Sequence, residues 1–118
     1  MCAWAFYPKR MRRFKLFDTK EDLIESLDEN GRLIIRIGER KICLMQHEGQ
    51  FHVFDHLCPH NKHSLFEGVI NFKSEVVCPL HAYRFSLRDG VECEQRTTAL
   101  KIHELTFEDP AVFLHLKD

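Results

Sequence analysis

The chain has 118 residues, enough for one domain around one core. Its 17 Lys plus Arg stand against 18 Asp plus Glu. That balance argues against a general nucleic-acid surface or an anionic-membrane surface. No apolar run approaches the ~18 residues of a membrane helix. The apolar "MCAWAFY" precedes the basic "KRMRRFK", the reverse of the order in a secretory signal.

Residues 1–13 carry no clear period and read as an N-terminal arm, leaving 14–118 as a single domain. "FDTKEDLIESLDENG" then predicts one short helix near residues 19–28. Asp18 or Thr19 caps it, Glu21 and Asp22 sit in its first turn, and Gly31 stops it. Leu23, Ile24 and Leu27 supply its buried face. After the helix the pattern is β. "RLIIRIG" and "KICLMQH" flank the turn "GERK", and "QFHVFDH" follows the turn "HEGQ". The period of two in "QFHVFDH" marks a half-buried strand. "GVIN", "EVVC" and "YRFSL" follow, then the Asp89-Gly90 turn. "ALKIHELTF" and "AVFLHLK" close the chain, joined by "EDP". Many short strands with regular turns predict a mostly β fold, a small antiparallel sandwich or barrel.

The five cysteines are an odd number: Cys2, Cys43, Cys58, Cys78 and Cys93. A small secreted domain more often shows an even, disulfide-ready set. A cytoplasmic setting is expected, where paired Cys and His suggest metal before disulfide. Two such pairs occur: Cys58-Pro59-His60 and Cys78-Pro79-Leu80-His81. Each follows a β segment, and each has Pro directly after Cys, which fixes φ and removes a donor. Two similar loops of this kind can clamp one object between them. Zinc is one reading, but structural zinc sites commonly use C-x2–4-C and H-x3–5-H spacing, and neither pair is Cys-Cys or His-His. Unligated side chains are another, since a single Cys is usually a small core hydrophobe. The mixed pairs themselves suit a cluster of two irons in which two His replace two Cys on one iron. Each loop must then reach both irons, so its Cys and His must be near neighbours in sequence.

In these residues the chain resembles the Rieske-type [2Fe–2S] ferredoxin family. The pattern C-x-H-x15–17-C-x-x-H is met by Cys58, His60, Cys78 and His81. "FDHLCPH", "LFEGVI" and "VVCPLHAYRFSLRDGVE" around it also look like that family, over roughly residues 30–116. The resemblance implies a Rieske domain: an antiparallel β-sandwich base with a two-loop cluster-binding subdomain at about 56–86. It implies one [2Fe–2S] cluster with two Cys and two His ligands, and His60 and His81 as the electron exit. Pro59, Pro79 and Leu80 are expected to form an apolar lip. Respiratory members carry one extra Cys in each loop, forming a disulfide, and none is present here. High-potential members place Ser and Tyr two and four residues after the last ligand, where the hydroxyls bond sulfur. Here those positions hold Tyr83 and Phe85. Tyr83 is expected to pack under the loop, and Phe85 has no hydroxyl. Fewer hydrogen bonds to sulfur lower the potential, toward the low end of the Rieske range at about −150 mV.

Relatives often have Gly within Asn61-Lys62-His63, where a positive φ is needed. Asn tolerates that region better than Lys. Gly68 is expected to permit the turn back into "VIN". Cys43 and Cys93 are expected to be buried thiols. Lys62, His63, Arg84 and Arg88 lie near the loops and are candidates for partner docking. A Rieske oxygenase needs a second domain with a mononuclear iron, for which 118 residues leave no room. The resemblance thus implies a non-enzymatic one-electron carrier, a monomer serving a reductase and an oxygenase. A small subunit of a larger reductase, like that of nitrite reductase, and a redox sensor are the alternatives.

Overall fold

The computed structural model describes residues 11–117, and the expected N-terminal arm lies outside the described residues except for its last three. The described residues form nine strands and one helix in the order β1 (Met11–Phe17), α1 (Lys20–Ser26), β2 (Arg32–Ile37), β3 (Arg40–His47), β4 (Gln50–Asp55), β5 (Val69–Ile70), β6 (Glu75–Val77), β7 (Arg84–Ser86), β8 (Ile102–Glu108) and β9 (Ala111–Lys117). All strand pairs are antiparallel. Six strands make one sheet in the order β1-β9-β8-β4-β3-β2, and three make a second in the order β5-β6-β7.

The helix begins as its sequence predicts. The Thr19 side chain caps it by accepting from the Asp22 N–H at 3.0 Å. Leu23 is its fully buried residue. The "arm" differs. Residues 11–13 belong to β1, where they pair with Lys117, Leu116 and His115 of β9. Their partner lies a hundred residues away, so no local period announces the strand.

Two tight turns link β2, β3 and β4. Ile37 pairs with Arg40 across Gly38-Glu39, with φ +60° at Gly38. His47 pairs with Gln50 across Glu48-Gly49, where both φ values are positive, 51° and 79°. These are the primed two-residue turns whose twist matches that of the strands they join.

The large sheet curls. Phe14 and Leu16 of edge strand β1, and Leu33, Ile35 and Ile37 of the opposite edge strand β2, pack into one core with Ile42, Leu44, Val112, Leu114 and Leu116. Both ends of a sheet reach one core only if the sheet folds over on itself. A second core lies on the other face of β3 and β4. Cys43, Met45 and Phe54 meet Val76, Phe85, Leu65, Leu87, Cys58 and Cys78 there. The "ICLM" run of β3 is therefore buried on both sides. The second core attaches the three-stranded sheet, and with it the two Cys/His loops, to the base.

Candidate metal centre

The two loops are built alike. Cys58 N–H donates to the His63 carbonyl at 2.8 Å, and Lys62 N–H donates back to the Cys58 carbonyl at 2.8 Å. In the second loop Cys78 N–H donates to the Tyr83 carbonyl at 2.8 Å, and Ala82 N–H donates to the Cys78 carbonyl at 2.9 Å. The fourth residue after each Cys is left-handed, with φ 61° at Lys62 and 59° at Ala82. The positive φ of the first loop thus falls on Lys62. Asn61 braces the same loop through its side-chain carbonyl, which accepts from the His63 N–H at 2.9 Å. Gly68 ties the loops together by close approach rather than by a positive φ. A Cβ there would collide with the Val77 carbonyl oxygen, next to Cys78.

Cys58 and Cys78 are fully buried and lie close enough to influence each other. Burial pushes the Cys58 thiol up, and the Cys78 thiol beside it adds to the rise. The rings of His60 and His81 meet edge to face, with centroids 5.5 Å apart. His60 is half-buried and His81 exposed. The Nδ1 of His60 is buried without a hydrogen-bond partner. A buried, unpaired ring nitrogen costs free energy unless something fills its lone pair.

Among the described residues, no three His, Cys, Asp or Glu side chains converge to hold one metal ion. Four-coordinate structural zinc needs such convergence. A two-iron cluster does not, because each iron takes only two protein ligands. The adjacent buried thiols, the facing imidazoles and the orphaned Nδ1 fit a [2Fe–2S] group.

The apolar surroundings are uneven. Phe85 is fully buried in the same core as both cysteines. Leu80 is 52% exposed, Pro79 is also exposed, and Pro59 is half-buried. Tyr83 does not simply pack beneath its loop. Its ring lies flat on His60, 3.8 Å between centroids and 11° from parallel. Lys62 borders a groove of about 700 Å³ shared with Arg40, Lys41, His56 and Lys101. Arg84 is engaged locally, donating to Cys93 Sγ at 3.4 Å and lying 4.0 Å from the Glu75 carboxylate. His63 and Arg88 are exposed.

Cys43, Cys58, Cys78 and Cys93 are all free thiols. Cys43 is buried as expected, and burial pushes its thiol up to about 12. Cys93 is exposed, contrary to expectation. It lies in the turn after β7, where its sulfur faces Arg84 instead of a core. Glu92 and Arg96 also belong to the surroundings of the site, through Tyr83, and no motif marks them. Their i, i+4 spacing is the one visible signal, and it is a helix rule applied to a loop.

A mostly β base that carries two matched Cys/His loops defines a cluster-bearing redox domain. Residues 19–105 match the Rieske [2Fe-2S] domain, and the chain belongs to that family. It is 31% identical over 91 residues to the ferredoxin component of the alkene monooxygenase system of Xanthobacter autotrophicus, covering 77% of this chain and 75% of that one. It is 31% identical over 96 residues to the 3-phenylpropionate/cinnamic acid dioxygenase ferredoxin subunit of Photorhabdus laumondii, covering 80% and 90%. Its fold is similar to that of the ferredoxin of carbazole 1,9a-dioxygenase from Nocardioides aromaticivorans. The TM-score is 0.69 at 16% identity, covering 90% of this chain and 98% of that one. A putative NADH-dependent nitrite reductase small subunit from Mycobacterium tuberculosis shares the fold at TM-score 0.71 and 10% identity, covering 92% and 97%.

Proposed function

We propose that the chain is a one-electron carrier, with Cys58 and Cys78 holding one iron of its cluster and His60 and His81 the other. The observation that carries the ligand assignment is the orphaned Nδ1 of His60 beside two adjacent buried thiols. The cluster-binding subdomain is about residues 56–86, built on β5–β7. When bound, the cluster accepts one electron and returns it. The chain's own residues hold and insulate. Buried Cys58 and Cys78 are turned away from solvent, in a core they share with Phe85. Exposed His81, with Pro79 and Leu80 around it, offers a partner a partly apolar contact next to a ligand. Protein partners are a reductase on one side and an oxygenase on the other, in keeping with relatives named as ferredoxin components of oxygenase systems. Among the described residues no helix is long and apolar enough to cross a membrane. The free thiols suit a cytoplasmic setting.

Electron paramagnetic resonance of the dithionite-reduced protein tests this. A rhombic signal with mean g below the free-electron value, with two irons per chain, is expected. A silent sample with stoichiometric zinc overturns the assignment.

A further inference from the structure

One arrangement reaches the site from outside the two loops. Each face of the Tyr83 ring is covered. The His60 ring lies on one face at 3.8 Å. The Arg96 guanidinium also lies 3.8 Å from the Tyr83 centroid. Two groups at that distance cannot share a face without overlap, so Arg96 lies on the other. Imidazole, phenol and guanidinium form a three-layer stack.

The stack is anchored. Arg96 Nε donates to Glu92 Oε1 at 3.1 Å and Oε2 at 3.2 Å, and Nη2 donates to Oε2 at 2.5 Å. The Arg96 backbone N–H donates to Oε1 at 2.7 Å. The Cys93 thiol donates to Oε2 at 3.4 Å. The Glu92 side chain is fully buried. A buried carboxylate is expensive to hold unless it is paired and hydrogen-bonded. Only His103 joins it as a buried polar or charged residue among the described residues. The anchor braces the 92–96 segment and, through the side-chain bonds, fixes the place of the guanidinium over Tyr83. A planar guanidinium suits stacking on an aromatic face, and a lysine ammonium does not reproduce that fork.

We propose that Glu92 and Arg96 are positioning residues that act on the cluster through Tyr83 and His60. They hold the His60 ring in one orientation and back it with an ion pair whose guanidinium end, flat on Tyr83, faces the ring and favours the reduced state. This rests on the reading of His60 as an iron ligand.

The test uses the cluster-loaded full chain. Arg96→Gln alone strands a buried carboxylate and can fail to fold, so it is combined with Glu92→Gln. Arg96→Lys, which keeps the charge, is the second variant. Two quantities are read: the reduction equilibrium constant by redox titration, and the rate of iron release to a chelator. In the double variant the reduction constant should fall about threefold to tenfold, tenfold being 59 mV for one electron. Arg96→Lys should keep the potential closer to wild type yet release iron about threefold faster. With Tyr83→Leu as background, the double variant should add little, because its route is removed. Reduction constants and release rates within about twofold of wild type in both variants overturn the inference. Wild type that takes up no two-iron cluster overturns the ligand reading instead.

Discussion

Lys62 and Ala82 occupy the same place in two loops. Each follows its Cys by four residues, has φ near +60°, and donates its N–H to that Cys carbonyl. A left-handed non-glycine residue costs roughly 1–2 kcal/mol. Glycine removes that strain but adds freedom to the unfolded chain. Lys62→Gly should therefore stabilise the protein by about 0.5 kcal/mol, and Lys62→Val should destabilise it by at least about 1 kcal/mol. Denaturant midpoints check both. A clear loss of stability in Lys62→Gly contradicts the strain argument.

Gly68 leaves no room for a side chain. Its Cβ would collide with the Val77 carbonyl oxygen and meet the Leu65 carbonyl oxygen at 3.1 Å, both backbone atoms. Gly68→Ala must push the first loop away from β6, at about 1–3 kcal/mol. Urea unfolding and iron content per chain would show it. Unchanged values in both would mean the loops tolerate separation.

Glu92 links stability to pH. The Arg96 guanidinium holds its carboxyl down at about 2, against an ordinary 4.5. A depressed folded value contributes stability that is present above pH 4.5 and lost as pH falls toward 2. Thermal midpoints of wild type should drop through that window more steeply than those of Glu92→Gln. Parallel curves for the two proteins would rule Glu92 out as the source.

Phe85 bears on the potential. It is fully buried in the core that also holds Cys58 and Cys78, and it brings no hydroxyl. Phe85→Tyr supplies one donor near the sulfurs. One net hydrogen bond is worth about 1 kcal/mol, or roughly 40 mV for one electron. The midpoint should rise by about that much from a starting value near −150 mV. A wild-type midpoint well above zero would contradict the low-potential reading.

The four candidate ligands were legible because coordination chemistry acts at short sequence range. A loop that must reach two irons needs Cys and His within three residues. The helix was legible for a similar reason, since Thr19 and its acidic first turn are local. What escaped is long-range. β1 depends on a partner near the other end of the chain, so Met11–Arg13 read as an arm. Arg96 reaches His60 only through the folded positions of Glu92 and Tyr83. The left-handed residue fell on Lys62 because the loop's hydrogen bonds set it, not because Lys favours it. Cys93 read as buried because cysteine usually is, and its turn leaves it outside.

A strand with solvent on one side knows which way to face, because a one-residue slip puts its apolar side chains in water. β3 lacks that guide. Ile42 and Leu44 enter one core while Cys43 and Met45 enter the other, and a slip would merely exchange the two interiors. The alignment of β3 is thus carried by its ends, at Gly38-Glu39 and Glu48-Gly49, where the turn length admits one pairing on each side. Four turn residues outside the two loops decide whether Cys43 or Ile42 faces the metal-bearing half of the molecule.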